Sequence, residues 1–426
     1  MPVRHRTRPS GATLLRHDES GQPAGSDLAW TMTLFGTAVG AGILFLPLSA
    51  GAGGFWPLLV GTLLVFPMTF LGHRALSRVV TAGEGDEDIT HLSRRYFGEG
   101  WGLVVTALYA LCFVPILPIY GVAVTNAVSS VMEHQFGWDS VPRWLLSLAL
   151  VGLLMSVVVA SQKVMLWIAQ AVVYPLIAML AIATVLLVPD WHFPGTGPWP
   201  GWGSLFMNVW LTIPVLVFAF NHSAAVSTFS LAMEKAHGPR AAERASRVLF
   251  TSAALLVLFT MGFVWSCVLA LGPEGVAEAR HQNLPVLSYL ANEKGDWFFG
   301  VLGPLVTIAA IVSSYFGHYL GASEGLVGLT RATVDRKHRI SERTLRGGAA
   351  VALFLLTWGA AVLDPDILDL IEQLSGPVMA AMIFLLPLAA VYTVPGLARY
   401  RRSWQNVFLL VIGLLAVGGV LFGLIR

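Results

Sequence analysis

The residues from Gly36 to Gly42 could bind a small charged solute through their backbone. Three glycines fall within seven residues of an otherwise apolar stretch, and glycine readily adopts dihedrals that interrupt a helix. At such a break, N–H groups and the positive end of the helix dipole attract a carboxylate, and carbonyl groups attract a cation. An α-amino acid carries both charges, although other small charged solutes would also suit. Close packing of two membrane helices through the Gly36-xxx-Gly40 spacing is the alternative.

A second cluster, formed by Asn221, His222 and Ser223, lies in the middle of the apolar stretch 203–232. Polar groups at membrane depth are costly and usually face a cavity or a partner. This stretch is the sixth apolar stretch of the chain, and the glycine-rich one is the first. A repeat of five helices inserts its second copy upside down, as in inverted-repeat transporters, whose solute site lies between broken helices. The pairing of the two breaks therefore favours transport over packing alone.

The composition places both clusters in a membrane protein. Of the 426 residues, 56% are hydrophobic and 12% are charged, whereas soluble domains carry roughly 25% charged residues. Soluble enzymes, nucleic-acid-binding proteins and disordered proteins are therefore poor fits. A helix needs about 20 apolar residues to cross a bilayer. Eleven stretches qualify: 30–53, 56–72, 101–131, 144–160, 164–188, 203–232, 248–271, 299–327, 348–363, 374–394 and 404–425.

These spans predict an all-α membrane protein with 11 transmembrane helices. Residues 27–188 form the first inverted repeat, 203–394 the second, and 404–426 an added helix. Residues 1–26 are polar and are predicted to form a disordered cytoplasmic tail. With the N-terminus in the cytoplasm, 22 of the 26 Lys and Arg residues fall on the cytoplasmic side, as the positive-inside rule requires. The C-terminus is then predicted to lie outside.

Four stretches of the chain resemble the hydroxy/aromatic amino acid permease family of the amino acid–polyamine–organocation superfamily. They are GTAVGAGILFLPLSAG (36–51), FAFNHSAAVSTF (218–229), SSYFGHYLGASEGLVGL (313–329) and ILDLIEQLSGPVMAAMIFLLP (367–387). The second and third are similar to the serine/threonine branch. This resemblance implies a LeuT-type fold with a 5+5 inverted repeat and proton-driven uptake of a small hydroxy amino acid, above all L-serine, across a bacterial inner membrane. Ala224 replaces the proline usual in the serine branch, which leaves the exact substrate open.

The predicted substrate site combines the two breaks. The first break is expected to bind the substrate carboxylate, and the second to offer carbonyl groups to the ammonium and hydrogen bonds to a hydroxyl. Tyr120 is a predicted extracellular gate, with ordinary packing as its alternative, and Ser227 supports the site from one turn further along. The contacting residues are predicted to be Thr37, Gly40, Ala41, Gly42, Phe220, Asn221, His222 and Ser223.

Three titratable residues within the predicted spans are candidates for proton coupling. His222 and His318 are the only histidines there, and imidazole titrates near neutral pH. A structural hydrogen bond between helices is the alternative for each. Glu324 is the only acid within the predicted spans. It follows His318 by six residues, so the two side chains lie on different faces of a helix.

Lys163 opens the fifth span and has two interpretations. A lysine at a span end commonly anchors the helix at the membrane surface. The resemblance implies another role, because proton-coupled relatives place a lysine of the fifth helix where others bind sodium. Ser313 and Ser314 lie where the sodium-coupled relatives have hydroxyl ligands. The proton is therefore the predicted coupling ion, with sodium less favoured.

No cofactor, metal site or enzymatic activity is predicted. GAGGFW (51–56) lacks the strand–turn–helix context of a dinucleotide site, and Walker and HExxH motifs are absent from the sequence. The expected partners are an amino-acid substrate and the lipid bilayer, with no nucleic acid and no prediction of oligomeric state. A threonine or aromatic amino acid permease, and a membrane sensor that binds without transporting, are the competing functions.

Overall fold

The computed structural model describes residues 27–82, 89–138, 141–160, 162–193, 199–295, 297–337 and 339–425. The predicted tail 1–26 lies outside the described residues. Every regular element in the described residues is a helix or helical turn. The first half contains α1 (Asp27–Ala38), α2 (Ala41–Ala52), α3 (Phe55–Val80), α4 (Ile89–Phe113), α5 (Ile116–Phe136), α6 (Arg143–Ala160) and α7 (Gln162–Leu186).

The second half contains both long and short helices, together with π-helical turns. These turns span Phe298–Leu302, Ile371–Ser375 and Ala381–Leu385. The helices are α8 (Trp202–Ala219), α9 (Ser223–His237), α10 (Ala241–His281), α11 (Val286–Lys294), α12 (Gly303–Thr333), α13 (Glu342–Leu363), α14 (Ile367–Leu370), α15 (Gly376–Ala380), α16 (Leu386–Thr393) and α17 (Trp404–Ile425).

The all-helical membrane architecture is confirmed, whereas the number of crossings stays a prediction. Within the described residues, nine helical segments are long and apolar enough to cross a bilayer, or ten if α1 and α2 count as one bent span. The segment 404–419 is a shorter apolar helix. The predicted total of 11 is therefore neither reached nor excluded by length and composition.

Both predicted breaks are present. α1 ends at Ala38, and α2 begins at Ala41 at an angle of 62° to it. α8 ends at Ala219, and α9 begins at Ser223. The glycine and polar clusters therefore interrupt the helices where the sequence pattern predicts.

The helices form two packed groups. α12 packs against α4, α5 and α7, and α13 packs against α5 and α6. The broken helices belong to the other group, in which α2 contacts α8 and α10, and α3 contacts α8 and α9. Small residues allow neighbouring helices to approach closely, as expected where lipid provides little hydrophobic drive for helix association. A Cβ atom on Gly325 of α12, for example, would lie 2.7 Å from Ala110 Cα of α4.

Two helices run further than the hydropathy of the sequence predicts, and they bring further titratable residues into the helical segments. α3 continues to Val80, so His73 is a buried histidine inside a membrane helix. His222 and His318 are thus not the only ones. The helical segment from Ile367 includes Glu372, so Glu324 is not the only acid. Polar residues lower the hydropathy of these turns, yet the backbone stays helical because the side chains find contacts inside the protein.

Candidate functional site

The first break lies between α12 and the second break. A Cβ atom on Gly40 would overlap Ser314 Oγ of α12, so only glycine fits there without a shift. A Cβ atom on Gly42 would lie 2.8 Å from Phe218 Cδ1 and 3.0 Å from Ala219 Cα. The N–H groups of Ala41 and Gly42 at the start of α2 have no acceptors within their own helix, whereas the Ile43 N–H donates to the Gly40 carbonyl at 3.1 Å. Since Gly42 lies this close to Phe218 and Ala219, the N–H groups at the start of α2 lie beside the carbonyl end of α8.

The other predicted residues of the first break have separate roles. Gly36 packs against Val173 of α7, since a Cβ atom there would lie 2.6 Å from the valine side chain. The packing interpretation therefore applies to Gly36. Thr37 is half-buried, and its hydroxyl donates to the Thr33 carbonyl at 2.7 Å. Ala41 begins α2, and its side chain lies outside the described part of the structure.

The second break is ordered by local hydrogen bonds. The N–H of Phe220 donates to the Leu216 carbonyl at 3.1 Å and closes α8. Asn221 Oδ1 accepts the N–H of Ser223 at 2.9 Å, and thereby satisfies one of the donors that begin α9. Asn221 Nδ2 points to Met379 Sδ at 3.5 Å. Ser227 lies half-buried on α9, one turn beyond Ser223.

His73 of α3 and His222 of the second break form a buried pair. Their rings stack with centroids 3.6 Å apart and planes inclined by 13°. The backbone N–H of His222 donates to His73 Nε2 at 3.1 Å, and His73 Nδ1 lies 2.7 Å from the Thr69 carbonyl. His73 is absent from the sequence prediction. The i, i+4 series Thr69, His73 and Ser77, three polar residues on one face of a helix, is the sequence signal that could have identified it.

His318, Tyr120 and Ser314 form a second cluster beside the first break. His318 Nδ1 lies 2.8 Å from the Ser314 carbonyl and 3.5 Å from the Tyr120 hydroxyl. Tyr120 is buried, with 2% of its surface exposed. The structure thus places the predicted gate residue beside a predicted proton-coupling residue. Ser313 is buried on the same helix, α12.

Two other candidates for proton coupling lie on α12 and α7. Glu324 lies on α12 with an exposed side chain, six residues beyond His318. Lys163 lies in the first turn of α7, and its side chain is outside the described part of the structure. The predicted approach of Lys163 to the serines of α12 therefore stays a prediction.

A carboxylate cluster that the sequence did not predict connects α2, α10 and the π-helical turn after α14. Ser49 Oγ donates to Glu372 Oε1 at 3.1 Å. Arg280 Nη1 lies 3.5 Å from the same oxygen, and Arg280 Nη2 lies 3.8 Å from Asp369 Oδ1. The predicted span 374–394 began two residues too late to include Glu372.

The described residues contain no group of three or more His, Cys, Asp or Glu arranged to hold a metal ion. A cavity of about 300 Å³ lies between α7 and α12, with apolar lining residues such as Ile168, Leu176 and Val306. Such a lining provides no partner for the charges of an amino acid. The polar and backbone groups of the two breaks are the better candidate site.

Two broken helices in contact, in a bundle of membrane-spanning helices, define the LeuT-type fold. Solved structures share this architecture. A complex of MhsT with L-phenylalanine has a TM-score of 0.55 at 17% identity, covering 94% of this chain and 98% of that one. Mhp1, a nucleobase-cation-symport-1 family transporter, has a TM-score of 0.57 at 15% identity, covering 93% and 92%. At this identity the likeness shows the fold alone.

The chain belongs to the transmembrane amino acid transporter protein family, whose model matches residues 25–426. The serine transporter SdaC of Escherichia coli strain K12 is 38% identical over 97% of this chain and 98% of its own length. The threonine/serine transporter TdcC of Yersinia enterocolitica is 35% identical over 94% and 96%. These relatives confirm the resemblance to the serine/threonine branch. The chain is thus a multi-pass membrane protein of a transporter family and not an enzyme.

Proposed function

We propose that the chain is a proton-coupled symporter that carries L-serine into a bacterial cell across the inner membrane. The observation that carries the proposal is the contact between the two breaks, where Gly42 of α2 lies against Ala219 of α8. Backbone N–H groups at the start of α2 and carbonyl groups at the end of α8 meet there, and both charges of a zwitterion need such partners. The serine and threonine/serine transporters among the relatives support a hydroxy amino acid as the substrate.

The substrate carboxylate binds the N–H groups at the start of α2, from Gly40 to Gly42. The ammonium group binds the carbonyl groups at the end of α8, near Phe220. Hydroxyl groups such as those of Ser223 and Tyr120 are available to the serine side chain. A site that hydrogen-bonds a hydroxyl rejects analogues lacking it, since polar groups of the site are then unpaired.

The proposed coupling residues are His222, His318, Glu324 and Lys163, with Ser313 and Ser314 as partners of the lysine ammonium. In this arrangement the charge of Lys163 acts where a sodium ion would otherwise bind. We expect Lys163→Gln to abolish proton-driven uptake while the protein remains folded. Full proton-driven uptake by Lys163→Gln would contradict this role.

The membrane orientation belongs to the proposal as well. The N-terminus faces the cytoplasm and the C-terminus the periplasm, since 22 of 26 Lys and Arg then lie inside. The Glu372–Arg280–Ser49 cluster lies on the outer side in this orientation. Alternating access is a rocking of the group containing the broken helices against the group of α4, α5, α12 and α13.

Threonine is the second candidate substrate, since one relative is named for both amino acids. Counterflow separates the candidates without any ion gradient. Proteoliposomes loaded with unlabelled L-serine are diluted into labelled L-serine, with threonine, tyrosine or tryptophan as external competitors. Saturable accumulation that threonine inhibits weakly supports serine. Accumulation of labelled threonine in preference to serine would change the substrate, and no accumulation of either would refute the proposal.

A further inference from the structure

The hydrogen bonds of His73 fix its protonation state. The Thr69 carbonyl can only accept, so Nδ1 of His73 must carry a hydrogen. The backbone N–H of His222 can only donate, so Nε2 must be the unprotonated acceptor. His73 is therefore a neutral imidazole with a single available lone pair. That lone pair binds the backbone of the second break.

Protonation of His73 would break this contact. A proton on Nε2 converts the acceptor into a donor, and two N–H groups cannot share a hydrogen bond. The N–H of His222 would then lose its partner inside the protein. Because an unsatisfied buried donor is unfavourable, the backbone between α8 and α9 would have to move. The state of one nitrogen on α3 is thus linked to the geometry of the proposed substrate site.

The stacked pair can hold one proton but not two. With ring centroids 3.6 Å apart, two imidazolium rings would repel strongly. Both ring nitrogens of His222 are buried and make no well-directed hydrogen bond to the described residues, although the Phe220 carbonyl lies nearby. His222 therefore lies where it can accept an added proton from His73 or donate one to it.

The surroundings of the pair are mostly neutral. The Asn221 side chain lies beside the His73 ring, and Met379 contacts Asn221 from α15. A cavity of about 10 Å³ beside the pair is otherwise lined mainly by apolar residues of α3, α8 and the Ala381–Leu385 turn. It is about the size needed for one water molecule.

The charged groups on the neighbouring elements have other contacts. On α3, the Arg74 guanidinium lies 4.3 Å from the centre of the Phe70 ring, and Arg78 lies 4.1 Å from that of Tyr400. Glu372 precedes Met379 by seven residues and contacts Ser49 and Arg280. No carboxylate among the described residues hydrogen-bonds to either imidazole.

We propose that the coupling proton binds Nε2 of His73 and, by displacing the N–H of His222, releases the backbone of the second break. This inference rests on the proposed proton-coupled function and assigns it a site. Serine and the proton then bind together, because each favours the same arrangement of the break. His73 acts on the substrate through the backbone and is a positioning residue as well as the proton acceptor.

His73→Gln separates coupling from structure, because the glutamine oxygen can accept the His222 N–H but does not titrate. In proteoliposomes we expect accumulation driven by a proton gradient and serine-induced proton entry to be lost. Serine counterflow should persist but with a higher apparent KM, because the glutamine holds the His222 N–H and keeps the break in the arrangement that serine favours less. His134→Gln is the matched control. His134 Nδ1 also lies near the carbonyl four residues earlier, at 3.1 Å, but its side chain is exposed at the end of α5.

The outcomes distinguish the inference from the proposed function. Proton-coupled transport by both the original protein and His73→Gln would overturn the inference alone. Serine transport by the original protein without proton movement would overturn the proposed coupling. If His73→Gln does not fold, His222→Gln keeps His73 and the backbone N–H while removing the stacked ring. Its proton-driven uptake should then have a shifted pH profile, and an unchanged profile would overturn the inference.

Discussion

At the scale of single residues, backbone groups form many of the contacts proposed for the site. The first break depends on the absence of side chains at Gly40 and Gly42, which lets α2 approach Ser314 and Ala219. In the second break, the Asn221 side chain and His73 Nε2 accept the N–H groups of Ser223 and His222. A change of one methyl group or one proton is therefore enough to alter the site.

Gly40→Ala is expected to abolish serine uptake. The new Cβ atom would overlap Ser314 Oγ, and after rotation of that hydroxyl it would still lie 2.9 Å from Ser314 Cβ, so either α2 or α12 would have to shift. Uptake and counterflow of purified protein in proteoliposomes measure the effect. Gly152→Ala on α6 is the control, because nothing lies within 4 Å of a Cβ atom there. Unchanged counterflow by Gly40→Ala would show that this close contact is not required.

Asp335 is expected to stabilise the connection between α12 and α13 in a pH-dependent manner. Burial favours a higher pKa, but N–H donors from Arg339 and Ile340, together with Arg331, lower the pKa of Asp335 below its ordinary value. The stabilisation is therefore present above the ordinary aspartate pKa and is lost as the pH falls through the lowered one.

Hydrogen–deuterium exchange of the peptide containing Arg339 and Ile340 tests this prediction. Asp335→Asn should exchange faster than the original protein at neutral pH, and the difference should disappear in acid. Glu243→Gln, which removes the acid of an exposed ion pair on α10, should leave this peptide unchanged. A difference that persists at acid pH would contradict the assignment to the ionised carboxylate.

At the scale of the helices, sequence patterns predict where the helices break better than where they end. Three glycines or three polar residues within an apolar stretch are a strong local signal, and both predicted breaks are present. The end of α3 is not predictable from hydropathy, because His73 and Ser77 satisfy their polar groups on α9 and the second break. Those partners are distant in sequence. The same reason hides Glu372, whose partners lie on α2 and α10.

Arg143 is expected to hold the start of α6 against the middle of α5 and the end of α13. Its guanidinium donates to Asn126 Oδ1 at 2.7 Å and to the Ala361 carbonyl at 2.8 Å, and lies 2.9 Å from Asp364. Because the ion pair is 30% and 40% exposed, Arg143→Ala should cost only about 1 kcal/mol. Thermal unfolding in detergent measures this loss.

The control for Arg143→Ala is Arg247→Ala. Arg247 forms an i, i+4 ion pair with Glu243 in which both side chains are 73% exposed, so its loss should change the unfolding temperature very little. Equal unfolding temperatures for the two variants would show that the network around Arg143 adds no stability.

At the scale of the whole molecule, the distribution of charge predicts the orientation. With the N-terminus inside, Arg143 and Arg280 lie at the outer ends of their helices, near Asp364 and Glu372. We expect a periplasm-dependent reporter fused after Arg426 to be active and a cytoplasm-dependent reporter there to be inactive. The same two reporters fused before Met1 serve as the reciprocal control. The reverse pattern would invert the predicted topology.

The family and the fold could be predicted from the sequence because recognisable motifs lie at both helix breaks. The coupling ion could not be predicted in this way, since it depends on a few buried groups whose contacts come from distant helices. His73 and His222 are 149 positions apart in the chain. No local sequence pattern indicates such a contact, and the solved structures are similar to this chain only in architecture.

The most direct test is uptake of labelled L-serine into proteoliposomes under an imposed proton gradient and, separately, an imposed sodium gradient. We predict saturable uptake driven by the proton gradient and abolished by a protonophore, with the sodium gradient giving no accumulation. Uptake driven by sodium alone would contradict proton coupling and the roles proposed for His73 and Lys163. Absence of serine uptake under both gradients, with tyrosine or tryptophan accumulating instead, would contradict the substrate.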